Sequence, residues 1–482
     1  MHAVLPPARP IHPALQPLPA PLTRRLAVLR RPAVLAWGLA AGFAVLYACV
    51  GVNRHRRGLT KAYDLGIFEQ AVRAYAHGRA PIVPLKGPGY HLLGDHFHPL
   101  IATLAPLYRA FPSPVTLIVA QALLMALAVV PLTRWAHEAA GPRVALVIGC
   151  ATGASWGIVR AAADDFHEIA FAVPLLAFAV TALGRRRPLA AALWSLPLLL
   201  VKEDLGLTVA AVGALIAWQA RQDRRSPAPG LALAAAGLAA TALTVLVVLP
   251  SFNPTGSFDY WQQVDAGGHP STGAVAVRLV WPPVKWLLLF LLAATAGFLG
   301  LRSPLALLCV PTLAWRLLSA NPNYWGVSYH YSAVLMPIAV GALIDVIRRA
   351  DRRRIRRALA VSALVTAVTL PLYPLHEVVM PEAWRTSPRL TETRAMLGLI
   401  PDDATVASSN RLAAQLTDRA VVTLVCRPPD GPGPEWVAVD LHDPTVRSPC
   451  AIAATLQMVT EYRERGYRPL LDQDGLLLLK RP

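Results

Sequence analysis

The chain has 482 residues, 55% of them hydrophobic. A soluble globular protein carries about 45–50% apolar residues even with glycine counted, so composition places this chain in a membrane. Its formal net charge of +18 does not point to nucleic acid, because the arginines cluster in short connections between apolar runs, where they bear on membrane orientation.

Residues 1–32 are rich in Pro and Arg, lack apolar periodicity and read as a disordered cytoplasmic tail. The apolar run that follows is too long for a removed signal peptide and has no small-residue cleavage site, so it reads as a retained anchor. Similar runs recur down the chain, the longer ones near the ~20 residues that cross a bilayer as a helix. Eleven spans are expected, at 33–52, 115–133, 144–159, 169–184, 188–201, 205–219, 231–250, 284–300, 303–319, 332–347 and 358–375. The fold class is therefore an α-helical polytopic membrane protein. Every second connection is basic: five arginines precede Ala33, Arg185 to Arg187 and Arg221 with Arg224 and Arg225 follow, and seven lie between Arg348 and Arg357. The positive-inside rule then puts the N-terminus in the cytoplasm of a bacterial plasma membrane and the C-terminus outside. The loop from Asn53 to His98 also carries seven Lys and Arg, but long translocated loops weigh less in that rule.

The transmembrane domain spans 33–379 and holds a large extracytoplasmic loop at 53–114. That loop reads Tyr63-Asp64-Leu65-Gly66-Ile67-Phe68-Glu69-Gln70 and then Gly94-Asp95-His96-Phe97-His98-Pro99. On one helix Asp64 and Glu69 stand about 140° apart around the axis, so both can look into one cleft. His96 and His98 share a side if their segment is extended. Pro99 to Phe111 is too short to cross and reads as a re-entrant or interfacial helix. Further polar groups on the same side are Arg160 to Glu168 with Asp164, Asp165 and His167, then Ser251 to Pro283 with Asp259, Tyr260, Trp261, Asp265 and His269, and Asn321 to Tyr331. The acids, imidazoles and aromatics gather on one side of the membrane and the arginines on the other, which is the pattern of a one-sided reaction centre.

Residues 380–482 have the composition and size of a small soluble domain. Strands are expected at Val406 to Ser408, Val421 to Val425 and Trp436 to Leu441, and helices at Asn410 to Thr417 and Ala451 to Arg465. A terminal hairpin turns at Asp474-Gly475. This is a small extracytoplasmic α/β unit with no Gly-rich phosphate loop, paired CxxC or GxSxG, and it reads as a binding or structural appendage. Cys49, Cys150 and Cys309 fall inside spans as small packing residues. Cys426 and Cys450 lie in the outside domain, an oxidising compartment, and are candidates for a disulfide.

Each motif has a plain structural reading beside a chemical one. Asp64 and Glu69 suit a solvated loop helix or a pair of catalytic carboxylates held at headgroup level. Asp95, His96 and His98 suit a divalent metal ion or a sugar, as do Asp164, Asp165, His167 and Glu168, which equally suit a polar turn. Lys202, Glu203 and Asp204 sit between two close apolar runs, where ionisable groups are costly unless paired or facing a wet cavity. Lys202 would meet a phosphate, with Glu203 or Asp204 holding it. His330 beside Tyr331 marks the start of the tenth span, and tyrosines there are ordinary belt residues. With Arg160 and Arg316, His330 would otherwise clamp a lipid phosphate.

The loop motif, with Ala105-Pro106-Leu107-Tyr108, Asp165-Phe166-His167-Glu168 and Lys202-Glu203-Asp204, resembles a bacterial family of polytopic membrane proteins defined as a domain of unknown function. The resemblance covers roughly residues 35–480. That family in turn resembles the GT-C superfamily of membrane glycosyltransferases, among them the protein mannosyltransferases and the lipid A aminoarabinose transferases. The superfamily resemblance implies an acidic residue in the first large outside loop, a polyprenyl-phosphate sugar donor and inversion at the anomeric centre. Asp64 is the matching position, although the acidic pair common there is absent, since Leu65 follows. The expectation is a GT-C-like glycosyltransferase of the cell envelope with Asp64 as base. The alternatives are a non-catalytic transporter or lipid-linked-substrate binding protein, and an assembly scaffold.

Overall fold

The computed structural model describes residues 31–260, 277–428, 431–445 and 449–482. Most of the expected tail, and Trp261, Asp265 and His269, lie outside the described residues. The described residues are mostly helical, 66%. All eleven apolar stretches contain helix. Among the described residues, however, five helices are long and apolar enough to cross a membrane: Pro32–Arg56, Pro114–Ala140, Ala228–Phe252, His330–Ile347 and Arg352–Leu372. A sixth is formed if Pro142–Gly153 and Trp156–Ala162, bent by 45°, count as one span.

The remaining stretches hold helices that are shorter or less apolar, for local reasons. Pro188–Leu200 tightens to a 3₁₀ turn from Leu196, next to Pro197. Val284–Thr295 stops before Gly297 and Phe298, both at positive φ. Leu205–Gln222 ends in Arg221 and Gln222, exposed polar side chains that belong in water or headgroups.

His330–Ile347 is the centre of the bundle, with 94% of its span buried, and it packs on Ile169–Gly184 and Val129–Ala140. Ala228–Phe252 is peripheral, only 17% buried, and turns its apolar face toward lipid. It is held to Leu205–Gln222 by small residues. A Cβ on Gly230 would stand 2.4 Å from the backbone nitrogen of Ala217, and one on Gly213 would stand 2.5 Å from that of Ala234. Two helices approach this closely only where glycine removes the side chain.

The C-terminal domain is a five-stranded sheet, with β1 at Thr405–Ser408, β2 at Val421–Leu424, β3 at Trp436–Asp440, β4 at Arg468–Gln473 and β5 at Leu476–Lys480. The order is β2-β1-β3-β5-β4, with β1 parallel to β2 and β3, and β5 antiparallel to β3 and β4. Alternation along the strands sorts side chains to two faces. Val437, Val439, Leu477 and Leu479 pack under Met458 and Tyr462 of the helix Ile452–Glu464. Val406, Ala438, Leu476 and Leu478 join the opposite core, which also contains Leu65, Phe68 and Val72 of the first loop. Burial on both faces explains why β5 is an unbroken leucine run. Cys426 and Cys450 are joined in a disulfide, with Cα atoms 5.6 Å apart.

Candidate active site

The first loop leaves the Pro32–Arg56 helix and forms a single π-turn, Ala62–Gly66, in which Tyr63 departs from helical geometry at ψ 35°. Such widened turns often occur where a helix must re-aim side chains. Asp64 lies inside it. Directly after it runs the helix Ile67–Ala76, whose buried face carries Phe68, Glu69 and Val72.

Asp64 lies between a lysine and a histidine. Lys61 Nζ stands 3.0 Å from Asp64 Oδ2, and His167 Nε2 stands 3.3 Å from Asp64 Oδ1. Behind them the same ammonium reaches Asp165 at 3.3 Å and Asp164 at 3.5 Å, while Arg160 meets Asp164 at 3.4 Å. Burial alone would raise the pKa of Asp64, but Lys61 and then His167 outweigh it and hold the carboxyl below its usual range. Burial also opposes the charge on Lys61, and the three aspartates overcome it, so this pKa is raised. Asp165 moves the other way, to about 6, because burial dominates. Its backbone is left-handed at φ 54°, a position that non-glycine residues seldom occupy. The backbone N–H of Lys61 donates to its Oδ1 at 3.1 Å, and Gln121 holds the turn by accepting from the His167 N–H at 2.9 Å.

A second group faces Asp64 across a cavity of about 430 Å³. Lys202 donates to Glu168 at 2.9 Å, Glu203 binds His96 Nδ1 at 2.7 Å and accepts from the Phe97 N–H at 3.1 Å, and Trp315 donates to Asp204 at 2.9 Å. These three residues come from residues 201–204, the break between Pro188–Leu200 and Leu205–Gln222. Irregular backbone at such a depth is tolerated where it lines a cavity. Lys86 stands 3.0 Å from Asp95, which also accepts from the Tyr260 hydroxyl at 3.2 Å. The His96 ring stacks on Tyr260 with centroids 4.4 Å apart. Ile67, Phe68, Leu92, Leu207, Val245 and Phe258 supply an apolar wall.

Of the residues expected from sequence, Asp64, Asp95, His96, His98, His167, Glu168, Lys202, Glu203, Asp204, His330 and Tyr331 all line this one cavity. Asp164, Asp165 and Arg160 stand behind its wall, holding Lys61 and each other. Glu69, expected to share the cleft with Asp64, is fully buried elsewhere. Tyr108 donates to it at 2.9 Å and Thr417 at 2.5 Å, so it ties the loop to the C-terminal domain. Arg316 is also taken: its guanidinium donates to the carbonyls of Tyr324, Gly326 and Tyr331 and to the Ser332 hydroxyl, building the 319–332 loop. The cavity also contains Lys86, Tyr63, Tyr260, Trp315 and Tyr324, to which the sequence reading gave no role.

His96 and His98 do not form a metal pair with Asp95. His96 is bound to Glu203, and His98 is buried against Phe68, with its pKa lowered to about 4 by that burial. The group with ligand geometry is Asp164, His167 and His330, whose donor atoms lie within 4.8 Å of one another. Asp164 Oδ2, His167 Nδ1 and His330 Nδ1 have no hydrogen-bond partner, and carboxylate with imidazole is an ordinary divalent donor set. The residues therefore fit such an ion, although Lys61 and Arg160 already balance the Asp164 charge.

The family described as "Predicted membrane protein (DUF2079)" matches residues 54–478. The chain belongs to this family. Among curated proteins none matches it in sequence. Its fold is similar to that in the crystal structure of ArnT from Cupriavidus metallidurans bound to undecaprenyl phosphate, with a TM-score of 0.51 over 93% of this chain and 98% of that one, at 13% identity. ArnT is a GT-C glycosyltransferase. The likeness at that identity is one of fold.

Proposed function

We propose that this chain is a GT-C-like glycosyltransferase that moves a sugar from a polyprenyl-phosphate donor to an acceptor hydroxyl outside the cell. The observation that carries this reading is the cavity itself, which sets an ionised carboxylate, Asp64, among lysines with donors to spare. Lys86 and Lys202 each meet one carboxylate at hydrogen-bond distance and have two further N–H groups for a phosphate. Asp64 accepts the acceptor's proton as its oxygen bonds to the anomeric carbon. The bond from that carbon to the phosphate oxygen breaks, and the polyprenyl phosphate leaves with the electron pair and a second negative charge. Lys86 and Lys202 stabilise that charge as it develops. His96, Glu203, Asp204 and Asp95 offer hydrogen bonds to sugar hydroxyls, and His330, packed on His167 with ring centroids 3.5 Å apart, lines the Asp64 side. A divalent ion on Asp164, His167 and His330 would add positive charge behind Asp64.

Two further features support this reading. Leu207 and Val245 line the cavity, and Val245 belongs to the peripheral helix Ala228–Phe252, only 17% buried, whose lipid-facing position gives a polyprenyl chain a way in. ArnT, with a similar fold, binds undecaprenyl phosphate. The Cys426–Cys450 disulfide suits an outside location for the C-terminal domain, with the N-terminus in the cytoplasm.

The test is sugar release from a panel of labelled polyprenyl-phosphate sugars by the purified protein in lipid discs. Asp64→Asn should lower release by roughly 10²–10⁴-fold while donor binding persists. Undiminished release by Asp64→Asn removes the base assignment. The buried Lys202–Glu168 pair is equally suited to a carrier that holds such a lipid without chemistry. Binding without release by the wild type would select that reading.

A further inference from the structure

A second cavity, of about 500 Å³, lies away from the reaction cavity at the C-terminal end of the Pro32–Arg56 helix. The helix contributes Cys49, Val52 and, at its end, Arg56 and Arg57. Residues 384–394 contribute Trp384, Arg385 and Arg394. Glu377 already pairs with Arg54 at 2.5 Å and Arg57 at 3.3 Å. Among the described residues Arg56, Arg385 and Arg394 form no ion pair, and Glu382 and Glu392 on this face do not line the cavity. Concentrated guanidinium charge without a counterion repels itself unless an anion completes it.

The surroundings indicate where that anion comes from. Asn53 donates to the Ala383 carbonyl at 2.7 Å and holds the 381–384 turn against the helix end. That turn leaves Trp384 52% exposed, an apolar side chain that lines the cavity with the arginines at the end of a membrane-spanning helix. Aromatic and basic side chains together at such a level are the composition of a membrane interface. Arg394 donates to the Arg56 carbonyl, fixing the two arginines on one wall.

We infer that this cavity is a second lipid site, which takes the phosphate of an anionic membrane lipid on its arginines and the start of an acyl chain along Cys49 and Val52. The guanidinium fork matches phosphate oxygens two at a time. The site is separate from the transfer reaction, so its failure and the failure of the glycosyltransferase reading are distinguishable.

The experiment titrates detergent-solubilised protein with dihexanoyl phosphatidylglycerol, dihexanoyl phosphatidylcholine and inorganic phosphate, following tryptophan fluorescence and thermal stability. Saturable binding of phosphatidylglycerol alone is expected, weakened roughly tenfold or more in R385Q/R394Q because charged hydrogen bonds to phosphate are lost. R385K/R394K should fall between, since lysine keeps charge and loses the fork. Asp64→Asn should bind as wild type does. The Arg385 side chain has no hydrogen bond to the described residues, so Arg385→Gln alone weakens binding without touching the fold. Equal binding by R385Q/R394Q, or by phosphatidylcholine, overturns the inference. Equal saturation by inorganic phosphate makes it a site for a soluble anion and overturns the lipid assignment.

Discussion

Glu69 gives a quantitative handle on how the C-terminal domain is held. It is fully buried between the first loop and that domain, and burial raises its pKa from the ordinary 4.5 to about 8. If the domain undocks, the side chain returns to water and to its ordinary value. Between those two values the docked acid keeps its proton and the undocked one releases it. Docking is therefore strongest below about pH 4.5 and weakens as pH rises through about 8. The difference of about 3.5 units, at about 1.36 kcal/mol each, sets an upper limit of about 5 kcal/mol for the docking lost across that window. Glu69→Gln cannot ionise, and its amide can still serve Tyr108 and Thr417. The variant should match the wild type near pH 5, show no loss toward pH 9 and dock more tightly there. Hydrogen exchange over residues 65–76 and 410–424, corrected for intrinsic rates, reads this directly. Wild-type protection that stays flat or rises from pH 5 to 8, or a slope retained in Glu69→Gln, would refute the argument.

Three other perturbations follow from the packing. Lys202→Met strands the Glu168 carboxylate, 3% exposed, and should cost about 3–5 kcal/mol in thermal or denaturant unfolding, whereas K202M/E168L recovers most of that stability without transfer. Gly230→Leu drives a side chain into the Ala217 backbone and should destabilise by about 1–3 kcal/mol, while Leu238→Ala, on the exposed face of the same helix, should change unfolding little. C426S/C450S opens a link between positions 24 residues apart and should cost about 3 kcal/mol, seen as a lower melting temperature that reductant does not lower further.

How much was legible depended on the range of each interaction. Lys202, Glu203 and Asp204 stood out because charge between apolar runs is costly, and they are where the cavity is. The C-terminal strands were legible because alternation and the Asp474-Gly475 turn are local signals. Glu69 was misread through geometry. The 140° estimate assumes one regular helix from Asp64 onward, and the π-turn at Ala62–Gly66 changes the phase, so that Ile67–Ala76 aims Glu69 at Thr417 instead. A close signal for Lys61 was present, since it stands three residues before Asp64 and pairs with it. No local signal joined His96 to Glu203, 107 residues away, or Tyr63 to Arg427, 364 residues away. Hydropathy alone does not fix the number of crossings, because it reports an apolar environment and a short helix buried among neighbours provides one as well as lipid does.

These long-range pairs change the meaning of the C-terminal domain, which in sequence looks like an appendage. Tyr63 lines the cavity next to Asp64. Its backbone N–H donates to Asn410 at 3.0 Å, and its hydroxyl accepts from Arg427 at 3.2 Å. Lys86, the cation on Asp95, lies over the same ring at 5.3 Å. The domain therefore sets the position of a cavity wall. The loop in turn completes one face of the domain's sheet, through Leu65, Phe68 and Val72. Neither part is finished without the other, so removing residues 380–482 would expose the core of the loop and displace Tyr63 at once. Loss of function on that deletion would fit a scaffold and an enzyme equally. Only a change that releases Tyr63 and leaves the shared core intact, such as Arg427→Met, separates a domain that carries the function from one that shapes the cavity.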